Sequence, residues 1–375
     1  MQLRWLGPCW GQSGYEQLTR GLVIALDKLG VVIELEPAQN WNTELVEMDT
    51  EDRDRLQRMM SQKVAVNAIQ VCHQKPALEY KDALKRVCYS LFETNRCPEA
   101  WLEDLNYMDR VWVFSEFNKT CWQATWIQSH MDHEKIHQIP FGVDTDQFHP
   151  DVKSPWVTNK KGFTFLSVGD FTERKNFEGL IEAFVTEFTD QDDVCLIIKA
   201  HYQGFARRWQ DDVHQKFRAV VDRFNTKNPP RILFFGDKIS VEDMPQFYAL
   251  GDCFALASRG EGLGMPMIEA MASGLPVIAT EWGAQADYMT PENSMAVACD
   301  VRVIDDAEYI KKCLIALNHK WAYPSVEDLR TRLRWMFEHQ DEAKVMGAQG
   351  RKDMEAMTWE KAALAIIKQV QELMA

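Results

Sequence analysis

No run of 18 apolar residues occurs in this 375-residue chain, and Met1 to Trp10 have neither the basic start nor the apolar centre of a secretory signal. A membrane-spanning helix is therefore not expected, and a cytoplasmic location is. Cys-x-x-Cys is missing as well. Nine cysteines, scattered from Cys9 to Cys313, lack the spacing of a disulfide framework and fit a reducing compartment as core filler. Basic charge is short: 42 Lys and Arg stand against 56 Asp and Glu, a net charge of -14 that repels polyphosphate backbones and anionic lipid and argues against nucleic acid as a partner. No internal repeat and no low-complexity tract is present.

What the chain does have is alternation. Apolar runs at 3–6, 31–35, 64–71, 87–92, 111–114 and 136–139 read as buried strands, with amphipathic segments between several of them. The segment 15–29 places Leu18, Leu22, Ala25, Leu26 and Leu29 on one stripe and stops at Gly30, a natural helix end. Three prolines and many polar residues between 140 and 162 predict an interdomain linker with its boundary near Pro150. The alternation then resumes, with strands expected at 163–168, 194–199, 232–235, 253–257 and 277–279. Helices are expected at 176–188, 207–224, 245–250 and 266–272, then almost continuously from Val326 to a last helix at Trp359–Met374. Two such units in tandem predict an α/β protein of two doubly wound domains, 1–150 and 151–358. Ligands in such sheets bind beyond the carboxyl ends of the strands.

The densest chemistry lies between 254 and 279. A strand leads through Ser258, Arg259, Gly260, Glu261, Gly262, Leu263 and Gly264 into a helix with Pro266 near its first position. Glycines let the backbone approach a ligand, and the free N–H groups of the turn from Gly264 to Met267, with the helix dipole, form an anion pocket suited to phosphate. Glu261 and Glu269 would stand about 12 Å apart along a helix. The carboxylates of a glycoside hydrolase are roughly 5 to 9 Å apart. The pair therefore reads as gripping two hydroxyl-bearing parts of one extended ligand, a sugar and a ribose with diphosphate between.

The string EGLGMPMIEAMASGLPVIAT resembles the donor-site signature of the retaining GT-B glycosyltransferases of family 4, with its E-x7-E spacing. VGDFTERKNFEGLIEAF, FSEFNKT, PFGVDTDQFHP, SLFETNRCPEAW and GQSGY are similar to further family segments, while residues 36–85 and 284–355 match loosely. The resemblance implies the GT-B fold: two Rossmann-like domains facing across a cleft, the first on the acceptor side and the second holding the donor, with a last helix at 359–375 returning to the first. It implies that Glu269 binds the nucleotide ribose, that Glu261 contacts donor-sugar hydroxyls, and that backbone N–H groups of Gly262, Leu263, Gly264 and Met265 hold phosphate or sugar. Lys175 matches the lysine that neutralises the diphosphate. Asp170 stands where the family usually has an arginine, five residues before that lysine, and Arg174 is the replacement suggested by the RKN sequence. Gly14 falls on the acceptor or sugar side. So does Glu93, in place of a histidine found in many relatives, and it reads either as a sugar ligand or as a loop cap.

The implied activity is transfer of a hexosyl group from a UDP- or GDP-sugar to a glycan, lipid-linked or other hydroxyl acceptor with retention, needing neither metal nor cofactor. A GT-B epimerase or phosphorylase would share the cleft. A non-catalytic nucleotide-sugar-binding protein is thinkable from Asp170, though the intact E-x7-E spacing argues against it. Asp144-Thr145-Asp146 suggests a metal ligand set but lies in the linker, where turn chemistry accounts for it. His130, His133 and His137 lack a completing cysteine or second cluster. Of 13 tryptophans, Trp112 reads as core, and Trp10 and Trp282 as loop residues able to stack on sugar. Relatives that glycosylate lipids leave peripheral membrane contact open, with the acidic balance weighing against it.

Overall fold

The computed structural model describes residues 1–38, 48–73, 83–156, 162–201, 208–224, 227–237 and 239–375. The first lobe runs β1 (Gln2–Gly7), α1 (Gly14–Lys28), β2 (Val32–Pro37), α2 (Thr50–Ser61), β3 (Ile69–His73), β4 (Arg86–Ser90), α3 (Leu102–Asn106), β5 (Arg110–Val113), α4 (Glu116–Gln128) and β6 (Ile136–Gln138). Its strands form one parallel sheet in the order β2-β1-β3-β4-β5-β6.

The second lobe contains β7 (Phe163–Asp170), α5 (Phe177–Glu187), β8 (Val194–His201), α6 (Arg208–Arg223), β9 (Arg231–Phe235), α7 (Met244–Tyr248), β10 (Cys253–Leu256), α8 (Met265–Ala272), β11 (Val277–Thr280) and β12 (Ser294–Val297). This sheet is also parallel, in the order β12-β11-β10-β7-β8-β9. Strand β7 is buried along six consecutive residues, the near-continuous apolar run that a sheet covered on both faces requires. An antiparallel pair, β13 (Cys299–Val303) and β14 (Lys320–Pro324), brackets α9 (Ala307–Lys312). Three helices close the chain: α10 (Val326–Glu338), α11 (Gln340–Glu355) and α12 (Trp359–Met374).

Local chemistry sets the ends of α1. Ser13 and Glu16 form a reciprocal capping box at its start. At its end Gly30 takes φ +81°, so that Gly30 N–H bonds Asp27 O at 2.9 Å and Val31 N–H bonds Leu26 O at 3.0 Å. The helix thus stops where Gly30 predicts, in a double-bonded left-handed cap. Helix α12 packs against α1. Its Trp359 lies so close to Gly142 that a Cβ there would meet the Trp359 backbone nitrogen at 2.5 Å.

The expected run at 64–71 is displaced. Ala68 N–H bonds Ala65 O in a turn, and the strand begins at Ile69 and continues to His73. The expected helix at 245–250 occupies Met244–Tyr248. Of the helix expected at 207–224, Arg207 lies outside the described residues. Asp144 accepts from Asp146 N–H at 3.0 Å and Gln147 N–H at 2.9 Å, the turn role expected of it. Trp112 on β5 is fully buried, the core role expected of it. No helix among the described residues is long and apolar enough to cross a membrane.

Candidate active site

In each sheet the chain first builds outward on one side of its opening strand and then on the other, so a crevice opens where the order reverses. In the second sheet that point lies between β7 and β10. The loop after β7 carries Arg174 and Lys175, and the loop after β10 carries Glu261 and leads into α8. Residues 86 apart in sequence therefore meet because both loops leave the carboxyl ends of adjacent strands.

They meet as ions. Lys175 Nζ lies 2.7 Å from Glu261 Oε1, and Arg174 Nη1 lies 3.4 Å from Glu261 Oε2. Arg174 also donates to Gly260 O at 2.6 Å, and its Nη2 lies 3.5 Å from Glu93 Oε1 of the first lobe. Lys175 is 6% exposed and Glu261 4%. Burial alone would raise the Glu261 pKa, but Lys175 and Arg174 reverse that and hold the carboxyl below its ordinary value. Burial works against the Arg174 charge too, and Glu93 and Glu261 raise its pKa in spite of it.

Helix α8 starts at Met265, with Pro266 in its first turn and Gly264 as N-cap at φ +87°. Met267 N–H bonds Gly264 O, whereas the N–H groups of Gly262, Leu263, Gly264 and Met265 reach no protein acceptor among the described residues. Four such donors at a helix start form an anion site. The glycines before it answer a different demand from the ligand approach expected of them. A Cβ at Gly260 would meet Glu93 O at 2.1 Å, and one at Gly262 would meet Leu91 Cδ1 at 2.3 Å. The loop is glycine-rich because it presses on the 91–93 segment of the opposite lobe.

Glu269, one turn along α8, is 4% exposed and accepts a 2.7 Å bond from Tyr248 Oη. Burial pushes its pKa up to about 7, against the opposing effects of Tyr248, Lys199 and Gln17. The two glutamates thus differ in their electrostatics, Glu261 held below and Glu269 raised above the ordinary carboxylate value.

A cavity of about 260 Å³ joins these groups. Its walls carry Glu261, Glu269, Lys175, Arg174 and the turn from Gly262 to Met265 on one side, and Gly14 and Glu93 on the other. A Cβ on Gly14 would sit 3.5 Å from Met265 Cγ, so the first residue of α1 faces the start of α8. Through Gln17, Met244, Met265 and Glu269 the cavity adjoins a second one of about 660 Å³. All ten residues expected from the sequence therefore line one cleft, and Glu93 makes an ion pair across the lobes, not a loop cap. Trp10 and Trp282 do not line it; Trp282 packs edge-on against Phe117, with ring centroids 4.9 Å apart. His133 pairs with its neighbour Glu134, and among the described residues no group of three or more His, Cys, Asp or Glu side chains could hold a metal ion.

Sequence reasoning passed over Lys199, Tyr248 and the Ser13–Glu16 cap. The cap had a signal, Ser-x-x-Glu before an apolar stripe. Glu16 there accepts from Gly11 N–H and Ser13 N–H, both at 2.8 Å, and Arg20 donates to Cys9 O and Gly11 O, which fixes the loop beside Gly14.

Two facing, doubly wound lobes with an anion-binding turn at the switch point define the GT-B architecture. Residues 162–318 match the family model described as Glycosyl transferases group 1. Mannosylfructose-phosphate synthase of Agrobacterium fabrum is 28% identical over 153 residues, 40% of this chain and 33% of that protein. The lipopolysaccharide core biosynthesis mannosyltransferase LpsB of Rhizobium meliloti is 23% identical over 65% of this chain and 77% of its own length. The chain spans less than half the length of the first curated relatives it matches. Among solved structures, Anabaena HepE in complex with UDP and glucose superposes with a TM-score of 0.69 at 14% identity, covering 99% of this chain and 100% of that one. The chain has the GT-B fold and carries a glycosyl transferases group 1 segment, as its donor-site string leads one to expect.

Proposed function

We propose that the chain is a retaining, metal-independent glycosyltransferase that moves a hexosyl group from a UDP- or GDP-sugar to a hydroxyl acceptor on a glycan, lipid-linked or otherwise glycosylated molecule. One observation carries this reading: a buried, ionised Glu261–Lys175 pair stands beside four unpaired backbone donors in a cleft whose opposite wall is the other lobe.

In this reading the unit 151–358 holds the donor and the unit 1–150, with α12 against it, receives the acceptor. Glu269 takes the ribose hydroxyls, and the nucleoside extends into the larger adjoining cavity. The N–H groups from Gly262 to Met265 and the Lys175 ammonium face the diphosphate, and Arg174 adds positive potential while it holds Glu261 and Glu93. Glu261 meets the sugar hydroxyls, next to Gly14 and Glu93. As the bond from anomeric carbon to phosphate oxygen breaks, the departing diphosphate gathers negative charge, which the fixed donors and Lys175 stabilise. A diphosphate oxygen then takes the acceptor's proton as the acceptor oxygen bonds the same face of the sugar. No protein nucleophile is needed. HepE, solved with UDP and with UDP-glucose, supports a nucleotide sugar in this fold.

Thermal unfolding with UDP, GDP, ADP and their sugar conjugates tests the reading. A nucleotide at 100 times its dissociation constant stabilises by about 2.7 kcal/mol. The expected result is stabilisation by one nucleotide family, unchanged by EDTA. No shift with any of them would remove the donor-site assignment, and a shift abolished by EDTA would remove metal independence.

A further inference from the structure

Lys199 is the cation that the mechanism above leaves unused. It projects from β8, with Val168 of β7 opposite it in the parallel register, and lines the same cavity as Lys175, Glu261 and the Gly262 to Met265 turn. It is 4% exposed, yet its ammonium has no hydrogen bond and no ion pair within 4 Å among the described residues. Lysines this deeply buried are normally paired, and a lone buried ammonium is costly. Asp170 and Glu269 support its charge only from a distance, and burial lowers its pKa below the ordinary lysine value in spite of them.

Among the described residues, the other two cations lining this cavity are already engaged. Lys175 is bound to Glu261 at 2.7 Å, and Arg174 is directed at Gly260 O, Glu261 and Glu93. Asp170 borders the same cavity at the position where the sequence resemblance leads one to expect an arginine.

Building on the donor-site reading above, we propose that Lys199 binds the donor's diphosphate directly through its ammonium on β8. Asp170 then helps to keep Lys199 charged in the empty cleft, and the incoming diphosphate becomes its partner. Lys175 neutralises the leaving group from the Glu261 side and Lys199 from the opposite strand.

The test compares wild type with Lys199→Met and Lys199→Arg, titrating UDP and GDP calorimetrically and following uridine and guanosine by ligand-detected NMR. Lys199→Met is expected to bind the preferred nucleoside diphosphate roughly 10- to 100-fold more weakly, the range for a lost charged hydrogen bond. Its affinity for the bare nucleoside should not change. Lys199→Arg should recover most of the loss, and the ligand-free unfolding midpoint of Lys199→Met should equal or exceed that of wild type, because a buried charge has been removed. Undiminished diphosphate affinity in Lys199→Met would overturn the inference and leave the donor site standing. Equal weakening of nucleoside and diphosphate would also overturn it, by showing a structural role. If wild type bound neither diphosphate, the donor-site reading would fall and this inference with it.

Discussion

Glu261 owes its ionisation to Lys175 and Arg174, and the converse holds: without its carboxylate, two buried cations face the cavity uncompensated. A Glu261→Gln variant should therefore separate binding from chemistry. UDP or GDP alone should bind at least as tightly as in wild type, because the site becomes more positive. Turnover should fall roughly 100-fold, the scale of one lost oriented group at a reacting centre, while far-ultraviolet circular dichroism shows a folded protein. Near-normal turnover would sink the role assigned to Glu261. Glu269 gives a prediction of opposite electrostatic sense. Its folded pKa of about 7 lies above the ordinary 4.5, so the folded state holds the proton longer. The resulting cost is absent well below pH 4.5, grows as pH rises from 4.5 to about 7, and is constant above that. Relative to wild type, Glu269→Gln should gain on the order of 3 kcal/mol at pH 8 and only about 1 kcal/mol at pH 5, read from urea unfolding at both. The spacing of these two glutamates and the Arg174-Lys175 pair were legible in the chain because each lies in a short local string. Lys199 and Tyr248 were not: one interrupts an apolar strand and the other ends a five-residue helix, and only the fold brings Tyr248 against Glu269 and Lys199 into the same cavity.

Elements with strong periodicity and explicit stops were the readable ones. Helix α1 has an apolar stripe and Gly30, and the parallel strands of the second lobe have unbroken apolar runs. The pair β13 and β14 escaped notice because its strand residues alternate with charge, as in Cys-Asp-Val-Arg-Val, and its pairing spans a helix. The return of α12 depended on resemblance in the sequence, and the structure supplies its physical basis. Trp359 sits where glycines at 21 and 142 leave no side chain, and a Cβ at 21 would come within 2.4 Å of its ring. Gly142→Ala places that methyl against backbone instead of a movable side-chain tip. Helix α12 must shift, and the loss should be about 1 to 3 kcal/mol, typical of overpacking. Hydrogen exchange should show the loosening concentrated in α12 and the facing turns of α1, with the second sheet unchanged. Uniform protection across the chain would show that the helix end accommodates the methyl without undocking.

At the scale of the whole molecule the lobes are joined by contacts between residues far apart in the chain, which no single stretch of sequence announces. Asp287 of the second lobe accepts from the Glu116 and Phe117 N–H groups and so caps α4 of the first. A second contact joins 94–95 to 319–320: Asn95 N–H bonds Lys320 O at 3.2 Å, Lys320 N–H bonds Asn95 Oδ1 at 2.6 Å, and Thr94 Oγ1 lies 2.7 Å from His319 Nδ1. His319 also meets the Phe92 ring edge-on, next to the Glu93 that pairs with Arg174. Burial, with Arg96 adding to it, pushes the His319 pKa down to about 4 from an ordinary 6.5. A base with a depressed folded pKa takes its proton first in the opened state. This contact therefore keeps its full strength above about pH 6.5 and loses it as pH falls toward 4. Across that window amide exchange at Asn95 and Lys320 should rise relative to exchange in β7 and β10, and His319→Leu should flatten the difference. If these amides and the sheet amides kept the same ratio of exchange rates from pH 7 to pH 4.5, protonation of His319 would not weaken this contact between the lobes.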